Sequence, residues 1–298
     1  MRRPTLIALL LGVLAPLAVV IEAQARDRSI SSDHTATNLS AFGQGLAWSR
    51  ESPSGARLVM RAFGTPTDVP VPPASGDFDP DLGRDAEGHA VVVYTRCAGI
   101  SGRNCDVYEY DFTRAAESKV SGASSSRCSE FAPSVWNGTI AFGRSGPKGC
   151  RGLYVKATKG SALQLESRIP ADTDIRQGKV AYLYAPSAKR TSIRLFPIKQ
   201  GQSRPVITGI NSGGERTRVS SPAFGGGYLY WVFEDLRRHE FKVGRSRGRP
   251  NSSLQFSDRH LPRRVDSIAV DARTVFYTNG RGVFEASDPA PAFTVGDL

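Results

Sequence analysis

Residues 78–97 read FDPDLGRDAEGHAVVVYTRC, and residues 105–112 read CDVYEYDF. The first stretch contains a Pro-Asp segment, a turn at Gly88 and an apolar strand that ends at Cys97. A polar loop then leads to a second strand in which apolar and polar residues alternate. Because alternation with a period of two is typical of half-buried strands, this segment predicts a β-hairpin preceded by a short inner strand.

The same unit recurs six times along the 298-residue chain. Its turns are spaced by about 40 to 50 residues and lie at Gly45, Gly88, Gly138, Gly178, Gly227 and Ala272. A repeat of this length with several strands per unit is typical of a β-propeller. No long stretch shows the 3.6-residue period of an amphipathic helix. The sequence therefore predicts an all-β fold, a six-bladed β-propeller of four-stranded antiparallel blades.

We expect residues 26–298 to form a single propeller domain, since a closed ring uses its whole length. The predicted blades span about residues 40–73, 76–122, 127–165, 166–208, 214–258 and 262–298. The last unit lacks a clear outermost strand, which either the FTVG segment from Phe293 or the residues near Ser29 to Thr35 would supply. Pro289 and Pro291 disfavour a continuous sheet near the C-terminus, and this favours the N-terminal residues.

The first 25 residues have the features of a secretory signal peptide. Arg2 and Arg3 form a positive start, residues 6–21 are mostly apolar, and Ala23-Gln24-Ala25 matches a small-x-small cleavage site. The alternative is an uncleaved membrane anchor. No later stretch is apolar over the about 20 residues that span a bilayer. We therefore predict a secreted or extracytoplasmic protein that is cleaved near Ala25 and has no transmembrane segment in its mature chain.

Four cysteines in an exported protein indicate disulfide bonds, for which three pairings are possible. Cys97 ends a first strand and Cys105 begins the strand paired with it, so the two face each other across the hairpin. Cys150 lies in the hairpin loop of the next unit, and Cys128 lies just before that unit's innermost strand. We predict the pairs Cys97–Cys105 and Cys128–Cys150, rather than buried thiols or a metal site.

Large aromatic side chains recur at corresponding places in the first strands. Blades pack face to face through large apolar side chains, so this column predicts packing between blades rather than a platform for ligands. The predicted members are Trp48, Tyr94, Phe142, Tyr182, Tyr230 and Phe276.

The segment at residues 78–97 and the strand at residues 105–112 resemble the unit of the TolB-type six-bladed propeller family, with its PD40/WD40-like repeats. SSPAFGGGYLYWVF at residues 220–233 is a looser version. WD dipeptides are missing, and most units lack the family's full Pro-Asp-Gly turn. The resemblance implies a binding scaffold, often secreted or periplasmic, and it assigns no catalytic residue.

An acidic segment at residues 76–88 offers alternate carboxylates. They could converge on Ca²⁺, which takes six to eight oxygen ligands. However, Leu82 and Gly88 occupy the positions at which an EF-hand needs its glycine and its bidentate glutamate. The carboxylates also align with the inner strand and turn of the other units, so the turn interpretation is favoured and no metal or cofactor is predicted. The carboxylates are Asp77, Asp79, Asp81, Asp85 and Glu87.

The net charge is +11, and much of the excess lies in one stretch of the fifth unit. Such a stretch favours an anionic partner, for example an envelope polymer or a lipid, although a solvated rim of an arginine-rich protein is the alternative. We do not expect a nucleic acid partner, and we expect a monomer. The predicted binding residues are Arg237, Arg238, Lys242, Arg245, Arg247 and Arg249.

The sequence shows no established catalytic motif in its proper context. Its one G-x-S-x-G pattern, GRSRG at residues 244–248, overlaps a predicted strand with no predicted helix after it, so it does not form a nucleophile elbow, and no H-E-x-x-H arrangement is present. The first hypothesis is therefore an exported, non-enzymatic binding propeller for a protein or cell-envelope partner. The alternative is a propeller enzyme, hydrolase/lactonase-like or quinoprotein-like, with carboxylates near the central channel. Its candidate residues, which all precede first strands, are Asp81, Asp172, Asp174 and Asp266.

Overall fold

The computed structural model describes residues 27–98, 104–212, 215–249, 252–257, 261, 264–286 and 293–295. The predicted signal segment at residues 1–25 lies outside this range. The described part of the chain is all-β, and it contains no helix long and apolar enough to cross a bilayer.

Six blades of antiparallel strands surround a central channel, and the fourth and fifth blades are joined into one continuous sheet by pairing between residues 211–212 and 215–216. The inner strands are β2 (Thr37–Phe42), β6 (Asp81–Arg84), β10 (Ser129–Trp136), β14 (Asp172–Arg176), β18 (Glu215–Gly225) and β22 (Ser267–Asp271). The second strands are β3 (Gly45–Arg50), β7 (Ala90–Cys97), β11 (Thr139–Ser145), β15 (Lys179–Ser187), β19 (Tyr228–Asp235) and β23 (Thr274–Thr278). The predicted six-bladed β-propeller is confirmed.

The remaining strands complete the blades from the inside outward. The third strands are β4 (Arg57–Arg61), β8 (Cys105–Asp111), β12 (Gly152–Lys156), β16 (Arg190–Pro197), β20 (Glu240–Ser246) and β24 (Val283–Glu285). The outermost strands are β5 (Thr67–Asp68), β9 (Ala116–Lys119), β13 (Leu163–Glu166), β17 (Arg204–Ser212), β21 (Gln255–Ser257) and β1 (Arg28–Ser31).

The N-terminal strand closes the ring. β1 pairs with β24 and is the outermost strand of the sixth blade, which otherwise consists of residues near the C-terminus. The C-terminal strand β25 (Phe293–Val295) pairs instead with β21 and extends the fifth blade. The sixth blade therefore holds both ends of the ring together with main-chain hydrogen bonds.

The channel runs between two faces of the ring. We call the face with the turns between second and third strands the upper face, and the face with the turns between inner and second strands the lower face. Both disulfide bonds, Cys97–Cys105 and Cys128–Cys150, lie at the upper face and are formed as predicted. Because disulfides persist in oxidising compartments, they indicate an extracytoplasmic protein.

Apolar clusters between neighbouring blades form the core, and one aromatic side chain per blade lies at the centre of each second strand. In the last two blades, Trp231 and Tyr277 occupy the equivalent positions when residues are counted from the turn. The predicted residues, Tyr230 and Phe276, each come one position before them in the sequence. Gly244 lies opposite Trp231, where a Cβ would come within 2.3 Å of the indole. All six side chains are at most 1% exposed: Trp48, Tyr94, Phe142, Tyr182, Trp231 and Tyr277.

Candidate functional site

A central cavity of about 310 Å³ is lined by the inner strands of all six blades. Its lower end carries large side chains. The rings of Phe42 and Trp136 meet edge to face at 6.5 Å, and the Arg176 guanidinium lies 5.0 Å from the Trp136 ring centroid. The upper half is lined by short polar side chains and carboxyl groups. The cavity is therefore shaped to admit a ligand from the upper face.

Four aspartates project into the cavity from two blades. Asp79 and Asp81 belong to the second blade, and Asp172 and Asp174 take the corresponding places in the fourth. The other blades carry no charged group at these two positions. Their residues there are Asn38, Ser40, Ala132, Ser134, Ser221, Ala223, Ser267 and Ala269. Four of the six aspartates that line the cavity thus lie on the two blades that flank the third, and the other two, Asp266 and Asp271, belong to the sixth blade.

Hydrogen bonds from neighbouring blades hold the carboxyl groups of the second blade. The Ser40 hydroxyl donates to Asp81 Oδ1 at 2.8 Å, and the Val135 main-chain N–H donates to Asp81 Oδ2 at 2.7 Å. The Asn38 amide donates to Asp79 Oδ1 at 2.6 Å. On the fourth blade, Asp174 accepts the main-chain N–H of Phe224. The carboxyl groups of Asp79, Asp81 and Asp174 therefore each connect their blade to a neighbour.

β-bulges orient these hydrogen-bond donors toward the channel. The inner strands of the first, third and fifth blades each contain a register shift with a residue at positive φ, namely Asn38 at 51°, Ala132 at 45° and Ser221 at 49°. Bulges redirect groups next to functional sites, and backbone strain is concentrated there. The second and fourth blades carry the carboxyl groups and show no such shift in their described inner strands.

The pKa values of all four aspartates are raised, first because burial disfavours the charged form. The pKa of Asp79 rises to about 6, and those of Asp81 and Asp172 rise to about 7. Asp79 and Asp81 raise the pKa of Asp172 further, and the pKa of Asp174 lies well above its usual range through burial and the charge of Asp81. Groups of perturbed carboxyls in a cleft are typical of functional sites.

The channel chemistry follows from these protonation states. Near neutral pH the four groups share fewer charges than four separate aspartates would carry, so they can both donate and accept protons. They could bind a cationic or polyhydroxylated group.

The structure brings together three of the four carboxylates that the enzyme hypothesis names, since Asp81, Asp172 and Asp174 lie in one cavity. The fourth, Asp266, also lines this cavity, but it is ion-paired with Arg264 at 2.8 Å. Asp79 was missing from that set, although the repeated Asp-x-Asp pattern could have revealed it.

The acidic segment, for which a calcium site was the less favoured interpretation, is divided between the two ends of the second blade. Asp79 and Asp81 lie in the channel, and Asp77 accepts a hydrogen bond from Thr37. Asp85 and Glu87 lie in the lower turn, beyond the end of β6. Because a strand advances about 3.3 Å per residue, the five carboxylates do not converge on one ion.

The predicted basic residues are also divided between the faces. Arg237 and Arg238 lie in the upper turn after β19, and their main-chain N–H groups donate to Asp235. β20 then crosses the blade, with Lys242 in its middle and Arg245 near its lower end. The exposed Arg247 and Arg249 follow on the lower face. A seven-residue strand measures about 20 Å, so the six residues form two groups rather than one patch.

The lower group surrounds a half-buried tyrosine, Tyr228. The guanidinium of Arg245 lies 4.6 Å from the Tyr228 ring centroid, and that of Arg247 lies 5.8 Å from it. A hydrogen bond from Arg247 is the main cause that lowers the pKa of the Tyr228 hydroxyl, and the charges of Arg247, Arg245 and Arg273 add to it. Tyr228 and Arg273 were not predicted from the sequence, because only the turns of the fifth and sixth blades bring them to this group.

A groove continues this surface toward the fourth blade. It has a volume of about 370 Å³ and is lined by Arg204, Arg249, Ser246 and Ser252, with Leu254 among its apolar residues. Within the described residues, neither Arg204 nor Arg249 forms an ion pair. The lower face of the fifth blade thus combines guanidinium groups, hydroxyls and an aromatic ring, which can bind phosphate, sulfate or carboxylate groups.

These features define a six-bladed β-propeller with an acidic channel and a basic surface at the lower end of the fifth blade. No family model and no curated protein matches the chain. Among solved structures, the tricorn protease is similar with a TM-score of 0.59 and 12% identity over 89% of this chain. TolB from Acinetobacter baumannii is similar with a TM-score of 0.52 and 11% identity over 76% of it. The SapL1 lectin in complex with alpha methyl fucoside has a TM-score of 0.56 and 10% identity over 89%.

The chain covers very different shares of these three structures. The chain spans 26% of the tricorn protease and 55% of TolB, but the match covers 98% of the lectin. At such low identity the likeness shows the fold alone, and propellers carry out unrelated functions. The predicted resemblance to TolB-type propellers is confirmed at that level. The neighbours include both peptidases and binding proteins, so the particular function has to be argued from the sites.

Proposed function

We propose that the protein is an exported, non-enzymatic binding propeller that binds an anionic cell-envelope polymer or protein through the lower face of its fifth blade. Residues 1–25 would direct export and be removed near Ala25. The two disulfide bonds support an oxidising destination. The ring supplies a rigid scaffold, and its loops and turns carry the contacts, as is usual for binding scaffolds.

The observation that carries this proposal is the group of cations around Tyr228. Arg245 and Arg247 lie against its ring, and Arg273 and Arg249 extend the positive surface on either side. Arg247, Arg249 and Arg273 form no ion pair within the described residues. Uncompensated guanidinium groups attract anions and accelerate their association. The upper pair, Arg237 and Arg238, lies outside this surface and serves as a natural comparison.

Reversing the lower charges should weaken binding strongly. We expect the double variant Arg247→Glu/Arg249→Glu to bind poly(glycerol phosphate) at least about tenfold more weakly than the wild type, because each lost phosphate contact also removes counterion release. The dependence of the affinity on salt concentration should become shallower in this variant. Surface plasmon resonance at several salt concentrations measures both quantities.

The matched control is Arg237→Glu/Arg238→Glu, which changes the net charge by the same amount on the upper face. We expect this variant to bind within about twofold of the wild type, apart from a small long-range effect that salt screens. Equal losses in the two double variants would contradict a defined lower-face site. Binding that does not change with salt concentration would contradict an anionic partner.

A second candidate function is catalytic. It is favoured by the four aspartates in the channel, which have raised pKa values and thus suit proton transfer near neutral pH. On this hypothesis the protein is a hydrolase or lactonase, or a quinoprotein-like enzyme, and its substrate enters from the upper face.

An activity screen separates the two functions. Under the catalytic hypothesis, a turnover measured on lactones or glycosides should fall by at least about a hundredfold in Asp172→Asn, since general acid–base catalysis contributes that much. Under the binding hypothesis, no such turnover exists, and Asp172→Asn retains full affinity for the polyanion.

A further inference from the structure

A second group of potential ligands lies at the lower turn of the second blade, away from both sites described above. The ligand atoms of Asp85, Glu87 and His89 all lie within 4.8 Å of one another. His89 Nδ1 is 3.1 Å from Asp85 Oδ2. Ligands of a tetrahedral Zn²⁺ are about 3.4 Å apart, since each lies about 2.0–2.2 Å from the metal. Small side-chain movements would therefore bring the three groups to metal-binding distances.

Asp111 supplies an independent observation. Its carboxylate is 5% exposed, and its Oδ2 atom accepts no hydrogen bond although it lies 4.0 Å from His89 Nδ1. Buried carboxylate oxygens normally accept hydrogen bonds, whereas this one has only charged neighbours, so it can bind a cation. The neighbouring Arg114 guanidinium lies 3.2 Å away without hydrogen-bond geometry, and its side chain is 59% exposed. Arg114 can therefore turn into solvent.

The two aspartates each divide their oxygens between two tasks. Asp85 Oδ1 accepts the main-chain N–H of His89, which holds the turn, and its Oδ2 faces the imidazole. Asp111 Oδ1 accepts the N–H groups of Thr113 and Arg114, while its Oδ2 lies on the His89 side. The structural role of each residue thus occupies one oxygen and leaves the other directed at the histidine.

The local charge is also unbalanced. Four carboxylates, Asp85, Glu87, Glu109 and Asp111, lie around this turn, where the described guanidinium groups are those of Arg114 and of Arg84, which donates to the Gly88 carbonyl at 2.8 Å. A divalent cation would compensate this excess.

We propose that Asp85, Glu87, His89 and Asp111 bind a first-row divalent transition-metal ion, for which Zn²⁺ is the representative. An imidazole with carboxylates suits these ions, whereas Ca²⁺ prefers oxygen ligands alone. The site is distant from the basic surface of the fifth blade and independent of the proposed function.

Isothermal titration of the purified protein with ZnCl₂ tests the proposal. We expect one strong site in the wild type, and an affinity at least about tenfold lower in Glu87→Gln and in His89→Asn. The control His34→Asn removes an exposed histidine of the first blade and should leave the affinity unchanged. Glu87 is exposed, so Glu87→Gln keeps the test decisive should His89→Asn not fold.

Nuclear magnetic resonance identifies the ligand atom. Zn²⁺ should shift the His89 imidazole nitrogen resonances at one equivalent and leave those of His34 in place. Equal affinities in the wild type and in Glu87→Gln, or equal shifts in both histidines, would show adventitious surface binding and overturn the proposal. CaCl₂ binding with the same affinity as ZnCl₂ would overturn the assignment to a transition metal.

Discussion

The protein should become less stable as the pH rises from about 4 to about 7, by on the order of 4 kcal/mol from the channel aspartates together. Their pKa values in the folded state are raised from 3.8, to about 6 for Asp79 and about 7 for Asp81 and Asp172. The folded state therefore holds protons that the unfolded state releases, and stability is lost as these groups ionise. The channel is partly exposed, so solvent reduces the effect below what the full shifts would give.

A single substitution isolates this effect. We expect Asp172→Asn to raise the free energy of unfolding by on the order of 2 kcal/mol at about pH 8 and to leave it nearly unchanged at about pH 3, where the carboxyl group is largely protonated in both states. Urea denaturation at both pH values measures the difference. The control is Glu51→Gln, which neutralises an exposed carboxylate and should change stability little at either pH. A free energy of unfolding that is lower in Asp172→Asn than in the wild type at pH 8 would contradict the claim that burying the charge of Asp172 is unfavourable.

Trp48→Ala should lower the free energy of unfolding by about 4 kcal/mol. Trp48 is fully buried where the first blade meets the sixth, packed among Leu46, Ala269 and Val283. Its indole N–H also donates to Asp33 Oδ2 at 3.0 Å. The substitution therefore opens a cavity at the junction that closes the ring and removes a link to the segment after β1.

Hydrogen exchange should localise that damage. In Trp48→Ala, amides of β1, β2 and β24 should exchange faster, while those of the third and fourth blades change little. The control Phe63→Ala removes an aromatic ring that is 79% exposed and should cost less than about 0.5 kcal/mol. A loss of similar size in both variants would contradict a ring that depends on packing at this junction.

The sequence predicted the fold well because the propeller repeats a local pattern. Each hairpin shows its own alternation and turn, and hairpin geometry alone places Cys97 opposite Cys105. The aromatic column was misplaced only in the last two blades. There the turns are Gly226-Gly227 and Ala272-Arg273, and the strands begin at Tyr228 and Thr274, so the equivalent aromatic residues, three positions later, are Trp231 and Tyr277.

The sites were harder to predict because they depend on how distant segments meet. Asp81 and Asp174 belong to blades separated by a third, and only the closed ring brings both into one cavity. The basic stretch appears continuous in sequence, but β20 carries it from the upper face to the lower. His89 and Asp111 lie in different turns, and the pairing of β7 with β8 brings them together.

The most direct test of the proposed function is a map of where the partner binds. Hydrogen-exchange mass spectrometry compares the protein alone with the protein bound to poly(glycerol phosphate). We predict protection of the amides near Tyr228 and from Arg245 to Arg249, with no change at Arg237 and Arg238. Protection confined to the upper mouth of the channel, around Asp79 and Asp172, would contradict a lower-face binding surface.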